Sequence, residues 1–233
     1  PDTVEQPDDT GPIGSQLVAA AAIVDAARAA GGNTTVLALG ALTNLAAASQ
    51  LPEFTSCVRR VIFIGDTGSG SRPRRRLHLF HADHHHAIAG SSLSYNVALD
   101  PKALRVLLHS DVEKVLIGGS CFPSPSWVQD ASRQTGETDR AVGPGREAAH
   151  ALRELGRSDP HAYCYDPLAL LYHLEPDAFV LEAEAAAVCV TGGGKNWAFE
   201  RTDEAQKDGY VRVASGVNLE RYRAFLRGAG AIG

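Results

Sequence analysis

The sequence contains no methionine, only four cysteines and no long apolar run. Because methionine initiates translation, its absence indicates that the 233 residues are processed or belong to a longer sequence. The cysteines are scattered without a C-x-x-C pair, which argues against a disulfide framework and against a cysteine-based zinc site. We therefore expect reduced, mostly buried thiols, which favours a cytoplasmic location.

Several functional classes are excluded by other absences. No apolar run approaches the length that crosses a bilayer, and the start, PDTVEQPDDTGPIG, is acidic and polar rather than a signal peptide. A net charge of −5 argues against nucleic acid as a partner. None of the glycines at 40, 65 and 118–119 forms a G-x-G-x-x-G fingerprint or a P-loop, and GDTGSG at 65–70 precedes no helical pattern, so dinucleotide binding is rejected.

The sequence does contain alternating buried strands and helices, which predict an α/β fold with a mostly parallel sheet and helices on both faces. In the first half, strands are predicted at 34–39, 58–65 and 113–119, an extended segment at 94–99, and helices from Ser15 to the AGGN of 30–33, at 42–49 and at 100–110. In the second half, helices are predicted at 145–157, 166–174 and 218–226, and a small antiparallel patch in AFVLEAEAAAVCV, NWAFERT and GYVRVAS. One domain, 1–233, with a long loop insertion at 66–93, is the simplest division.

Each of the three predicted strands of the first half ends at glycine: Gly40, Gly65 and Gly118–Gly119. The carboxyl ends of parallel strands share one edge of a sheet, where ligands bind in open α/β folds. The segments that would line this crevice are Ala41–Asn44, Asp66–Thr67 and Ser120–Cys121. The alternative is that each glycine only makes a turn.

Two aspartates, Asp100 and Asp166, each precede a proline at a predicted helix start. An aspartate there accepts backbone N–H bonds as an N-cap, and this role alone explains either residue. The alternative for Asp166 is a carboxylate that faces the crevice and is available to a hard cation. The pattern does not separate the two aspartates.

Within the loop insertion lies a histidine-rich run, HLFHADHHH at 78–86. Three interpretations stay open: a solvated loop, a site for zinc or another transition metal, and a source of the acid that protonates a leaving group. His81 and His84 are the candidates for that acid because they lie on one face if the run is helical.

Five segments follow the order and spacing of the inosine-uridine-preferring nucleoside hydrolases, which the chain resembles from about residue 14 onward. LALGALTNLAAA (37–48) resembles G-P-L-T-N-L-A, and SLSYNVALDPKAL (92–104) resembles E-F-N-x-x-x-D-P-x-A-A. YDPLALLYHLEPDAF (165–179) resembles H-D-P-x-A-x-x-x-x-x-P-x-x-F. RRVIFIGD and VRVASGVNLERYRAFL (211–226) resemble the family's second strand and its closing strand and helix.

The resemblance implies a Rossmann-like α/β fold and a calcium-dependent enzyme of purine metabolism that hydrolyses the N-glycosidic bond of purine or pyrimidine ribonucleosides. By position, the backbone carbonyl of Thr43 and the carboxylate of Asp166 would bind calcium. Asn96 would bind the ribose, and Ser94 stands where the family has a second ribose contact, a glutamate. The partner would be a small-molecule nucleoside, and a homo-oligomer is expected.

The chain departs from the family at its first strand. The family's motif there, D-x-D-x-G-x-D-D, supplies most calcium carboxylates and the general base, and it is absent, so the catalytic base is unknown. Tyr165 also replaces the family's histidine. A truncated hydrolase, inactive in this form, is one interpretation. The others are an inactive homologue that binds a ribosyl ligand or acts as a scaffold, and a metal-binding module built on the histidine loop.

Overall fold

The computed structural model describes residues 11–65, 95–123, 127, 165–193 and 196–228, and the structural statements below concern these residues. The strands are β1 (Thr34–Ala38), β2 (Val58–Ile64), β3 (Glu113–Ile117), β4 (Phe179–Leu181), β5 (Ala186–Gly193), β6 (Asn196–Arg201) and β7 (Gly209–Val217). The helices are α1 (Gly11–Ala29), α2 (Thr43–Ser49), α3 (Phe54–Cys57), α4 (Tyr95–Leu99), α5 (Pro101–Leu108), α6 (Asp166–Leu174) and α7 (Leu219–Gly228), with 3₁₀ turns at Gly119–Cys121 and Pro176–Ala178.

The described strands form one sheet in the order β1-β2-β3-β7-β5-β6, with β4 also paired to β7. The pairs β1–β2, β2–β3 and β3–β7 are parallel, whereas β4 and β5 run antiparallel to β7 and β6 runs antiparallel to β5. This topology confirms the predicted mostly parallel sheet with a small antiparallel patch. Strand β7 joins the two parts because it is parallel to β3 on one side and antiparallel to its other neighbours.

Helices cover both faces of the sheet, as the sequence predicts. Along β2, Val61 and Phe63 belong to the hydrophobic core formed with α1, α2 and α5. The alternating residues Ile62 and Ile64 belong to the second core, formed with α6 and α7. Because successive side chains of a strand point to opposite faces, the continuous apolar run of β2 is what a strand buried on both sides requires.

The predicted extended segment at 94–99 is wrong, because Tyr95–Leu99 forms the short helix α4. Tyrosine and valine favour strands, which explains the prediction. A strand is stabilised by pairing with a neighbour, and this segment pairs with none of the described strands. The segment instead buries Val97, which is 1% exposed, in the core beneath α2 and α5.

Helix α1 begins at Gly11, four residues before the predicted start at Ser15. Its end is as predicted. Gly31 and Gly32 adopt positive φ values of 85° and 75°, which residues with a side chain rarely adopt. The N–H of Gly32 donates to the carbonyl of Ala27 at 3.2 Å, which closes the last helical turn.

The thiols of Cys57, Cys121 and Cys189 are free and buried, which confirms the prediction for these three cysteines. Cys164 lies outside the described residues, and so do the predicted helix at 145–157 and the loop insertion at 66–93. None of the described helices combines the length and the apolar character that crossing a membrane demands.

Candidate active site

The carboxyl ends of β1, β2, β3 and β7 lie at one edge of the sheet, since these strands are mutually parallel. Backbone hydrogen bonds continue past the strand ends. The N–H of Gly65 donates to the Ile117 carbonyl at 3.2 Å, and the N–H of Gly118 donates to the Ala214 carbonyl at 3.1 Å. The structure therefore brings together the three strand ends that the sequence predicts at one edge.

The glycines at this edge have different roles. A Cβ at Gly118 would lie 3.0 Å from the Ala214 carbonyl oxygen, so a side chain there would press β3 and β7 apart by a few tenths of an ångström. A Cβ at Gly40 would meet no atom within 4 Å, and the φ of Gly40 is not positive. The turn after β1 therefore does not demand glycine, and Gly40 leaves open space at the edge.

Two side chains from the segment before α5 reach the corner between β1 and α2, which comprises Leu39–Thr43. The Thr43 hydroxyl donates to Oδ2 of Asp100 at 2.7 Å. The Nδ2 amide of Asn96 donates to the carbonyl oxygen of Leu39 at 3.0 Å. Two of the residues that the resemblance assigns to the site, Thr43 and Asn96, thus lie at the same corner.

Helix α6 runs antiparallel to the parallel strands, which places its first residue at the carboxyl edge. The ring of Tyr165, directly before α6, lies 4.1 Å from the ring of Phe122, which follows the turn after β3. Near the other end of α6, burial raises the pKa of Tyr172, and the charges of Arg60 and Glu113, near the starts of β2 and β3, also act on it. The ring contact at one end and the charges near the other end agree with this direction of the helix.

Asp166 is the first residue of α6. The N-cap of this helix is Tyr165, whose side chain makes no capping hydrogen bond. The interpretation of Asp166 as an N-cap is therefore wrong. Asp100 is a true N-cap, since its Oδ1 accepts the backbone N–H of Ala103 at 3.1 Å. Desolvation raises the pKa of the Asp166 carboxyl above its usual range. This carboxylate makes no hydrogen bond or ion pair within the described part of the chain, so it is available to a ligand.

Cys121 does not line the crevice as predicted. Its side chain is 1% exposed and lies in the core under α6 and α7. The thiol donates to the carbonyl of Ala214 at 3.2 Å, and burial raises its pKa to about 12. A thiol that stays protonated is a poor nucleophile, so Cys121 is structural.

The expected calcium ligands do not form a complete site in the described residues. These residues contain no cluster of three or more histidine, cysteine, aspartate or glutamate side chains that would hold a metal ion. Calcium takes six to eight oxygen ligands, whereas Thr43 and Asp166 together offer two groups. The described residues thus do not fit the ion by themselves, and the roles of Thr43 and Asp166 stay predictions.

Several predicted site residues lie outside the described ranges. They are the candidate acids His81 and His84, the substrate-binding candidate Ser94, and the crevice segment Asp66–Thr67. The sequence contains no D-x-D-x-G-x-D-D motif.

Sequence reasoning missed the second role of Asp100. The Asp-Pro pair predicts the helix cap correctly, but nothing local indicates that the same carboxylate also accepts the Thr43 hydroxyl, 57 residues away. The contact between Phe122 and Tyr165 was missed for the same reason. Both contacts depend on the packing of segments far apart in the chain.

Comparison with known proteins agrees with this architecture. A family model described as inosine-uridine preferring nucleoside hydrolase matches residues 3–224. The structure is similar to an inosine-uridine preferring nucleoside hydrolase from Bacillus anthracis, with a TM-score of 0.68 and 20% identity over 91% of this chain and 65% of that one. It is also similar to a purine-preferring ribonucleoside hydrolase from Gardnerella vaginalis, with a TM-score of 0.59 and 16% identity over 100% of this chain and 70% of that one.

These similarities have clear limits. At identities of 20% and 16%, the two solved structures show a shared fold. The chain spans 65% of the length of the first of them. No curated protein matches the sequence.

Proposed function

Because this chain belongs to the family of inosine-uridine preferring nucleoside hydrolases, we propose that it acts on ribonucleosides and hydrolyses the N-glycosidic bond between base and ribose. The substrate is a small-molecule nucleoside with a purine or pyrimidine base. The site is the carboxyl edge of the parallel strands, where Asp166 and the β1–α2 corner lie.

One observation supports the proposal more than any other: Asp166 stands at this edge with no partner among the described residues. When a glycosidic bond breaks, the anomeric carbon and the ring oxygen share a positive charge. An ionised carboxylate stabilises that charge and accepts hydrogen bonds from sugar hydroxyls. Asp166 is therefore the residue that we assign to the ribose side of the nucleoside.

In the proposed reaction, water adds to the anomeric carbon while the bond from this carbon to the base nitrogen breaks. The water loses a proton to a general base, and the departing base accepts a proton. We propose Asn96 and Ser94 as ribose contacts on the resemblance alone. His81 and His84 are the candidates for the leaving-group acid because they belong to the histidine-rich run at 78–86. No general base is assigned to a described residue.

Calcium is the metal that we propose for this site, with the Asp166 carboxylate and the Thr43 carbonyl as ligands. A calcium ion would lower the pKa of a bound water and hold sugar hydroxyls. The two residues fill only a small part of the coordination that calcium requires, so the remaining oxygen ligands must come from elsewhere.

A second candidate function is binding of a ribosyl compound without hydrolysis. It is favoured by the finding that the described residues hold no cluster of three metal-ligating side chains. A site that contributes one carboxylate can recognise a sugar without activating water. Binding and turnover must therefore be measured separately.

The test combines calorimetry with a ribose-release assay, using inosine and uridine with and without added calcium. We expect the 233-residue chain to bind nucleoside. Asp166→Asn should weaken binding by about 10- to 100-fold, because a hydrogen bond to a charged group contributes about 1.5–3 kcal/mol. Asp25→Asn is the matched control, since Asp25 is an exposed aspartate of α1 that pairs with Arg28.

Each outcome decides between the candidates. Release of ribose that Asp166→Asn abolishes supports hydrolysis at the proposed site. Binding without ribose release, even with calcium, selects the second candidate. Equal binding by Asp166→Asn, Asp25→Asn and the unaltered chain would remove Asp166 from the site.

A further inference from the structure

The β1–α2 corner is held by side chains from one distant segment. Asn96 on α4 binds the Leu39 carbonyl at the first residue of the corner, and Asp100 binds the Thr43 hydroxyl at the last. Each hydrogen bond joins residues that are 57 positions apart in the sequence, so one short segment, 96–100, holds both ends of the corner.

Few other contacts constrain the corner within the described residues. The N-cap of α2 is Leu42, whose side chain makes no capping hydrogen bond. Gly40 faces open space, and Leu39 is 42% exposed. Leu42 is buried at 1% exposure and anchors the corner in the core.

The segment that carries Asn96 and Asp100 is itself rigidly placed. Val97, between the two polar residues, is 1% exposed, and Pro101 is buried at the start of α5. The Asp100 carboxylate is fixed further, because its other oxygen accepts the N–H of Ala103 at 3.1 Å. A segment anchored in the core can therefore determine the conformation of the corner that it touches.

We propose that Asn96 and Asp100 are positioning residues that hold the corner Leu39–Thr43 in the conformation that receives the ribose of a nucleoside. This inference rests on the proposed function, because it takes the carboxyl edge as the ribose site. It assigns to Asp100 a role besides capping α5. It also gives Asn96 a role that does not require direct contact with the sugar.

The test removes the Thr43 hydroxyl without changing the size of the side chain. Thr43→Val loses the hydrogen bond to Asp100, whereas Thr43→Ser retains a hydroxyl and should keep this hydrogen bond. Thr34→Val is the matched control, because the Thr34 hydroxyl donates to the carbonyl of Ala27 at 3.2 Å, at the opposite end of β1. Asn96→Ala removes the second contact.

Three quantities are measured for each variant: the dissociation constant for inosine, the free energy of unfolding in urea, and the hydrogen exchange rates of the corner amides. We expect Thr43→Val and Asn96→Ala to lose about tenfold in affinity and to exchange the corner amides faster. Thr43→Ser should recover both properties. Thr34→Val should keep the affinity even where it lowers the free energy of unfolding.

The proposal is overturned if Thr43→Val and Thr34→Val change the affinity equally, or if Thr43→Val leaves the affinity unchanged. If the unaltered chain binds no nucleoside, the proposed function fails, and hydrogen exchange then decides the inference separately. Corner amides that exchange at the same rate in Thr43→Val as in the unaltered chain would show that the contacts do not hold the corner.

Discussion

Replacing Gly209 by alanine tests the contact between the start of β7 and the end of α5. A Cβ at this position would lie 2.3 Å from the carbonyl oxygen of Leu108 and 3.0 Å from its carbonyl carbon. Unbonded Cβ atoms do not approach other heavy atoms this closely. The strand and the helix must therefore move apart by roughly 0.7 Å to admit the methyl group, so Gly209→Ala overpacks this contact.

Neither side of this contact moves freely. Leu108 is 2% exposed, and its carbonyl accepts a hydrogen bond from the buried Lys114 ammonium at 3.0 Å. Gly209 pairs with Val188 in the sheet. Overpacking costs about 1–3 kcal/mol, and the smaller conformational freedom of alanine in the unfolded chain offsets about 0.4–1 kcal/mol. We expect a net loss of about 1–2 kcal/mol, or a fall in Tm of roughly 2–8 °C.

Gly216 on the same strand provides the matched control. A Cβ there would lie 3.6 Å from Cβ and Cγ2 of Val180, which is ordinary contact. Gly216→Ala should stay within about 0.5 kcal/mol of the unaltered chain or gain slightly. Urea unfolding followed by circular dichroism measures both variants. The reasoning is refuted if Gly209→Ala is no less stable than Gly216→Ala.

Three further predictions concern titratable groups. Desolvation raises the native pKa of Asp166, so the charge of this carboxylate opposes folding at neutral pH. Asp166→Asn should therefore be at least as stable as the unaltered chain at pH 7, and the difference in stability should vanish as pH falls through the native pKa of Asp166. A loss of stability in Asp166→Asn at pH 7 would contradict this. Cys121, with a pKa of about 12, should resist iodoacetamide at pH 8 until the protein unfolds, as mass spectrometry would show. The hydrogen bond from Arg221 lowers the pKa of Asp177, so Arg221→Ala should reduce stability at neutral pH. Urea titrations should show that this loss of stability shrinks as pH falls through the native pKa of Asp177 or as the salt concentration rises. A loss that is independent of pH and salt would argue against the ion pair.

Local patterns predicted most of the sheet because a strand buried on both faces has a continuous apolar run. VRRVIFIG and EKVLIGG became β2 and β3, and each strand ends one residue before the glycine that the sequence marks. The segment at 94–99 shows where this reasoning fails. Strand propensity describes a residue beside a neighbouring strand, whereas Tyr95–Leu99 forms a helix that packs Val97 into the core.

The two Asp-Pro pairs show the same limit within the site. Asp100 caps α5, whereas Asp166 is already the first residue of α6, and its carboxylate makes no capping hydrogen bond. The dipeptides are identical, and the difference lies in the backbone before each proline: Asp100 has a non-helical conformation, whereas the helical conformation already begins at Tyr165, before Asp166. The sequence therefore predicted that both aspartates begin helices but not which one was available to a ligand.

By itself, the sequence determined the alternation of strands and helices, the parallel edge with three converging glycines, and the segments that resemble nucleoside hydrolases. These features depend on periodicity and on residues close together in the chain. Only the tertiary structure decided that Thr43 donates to Asp100 and that Asn96 binds the Leu39 carbonyl. Each of these hydrogen bonds joins residues 57 positions apart, and their geometry exists only once α4 and α5 pack beside the end of β1.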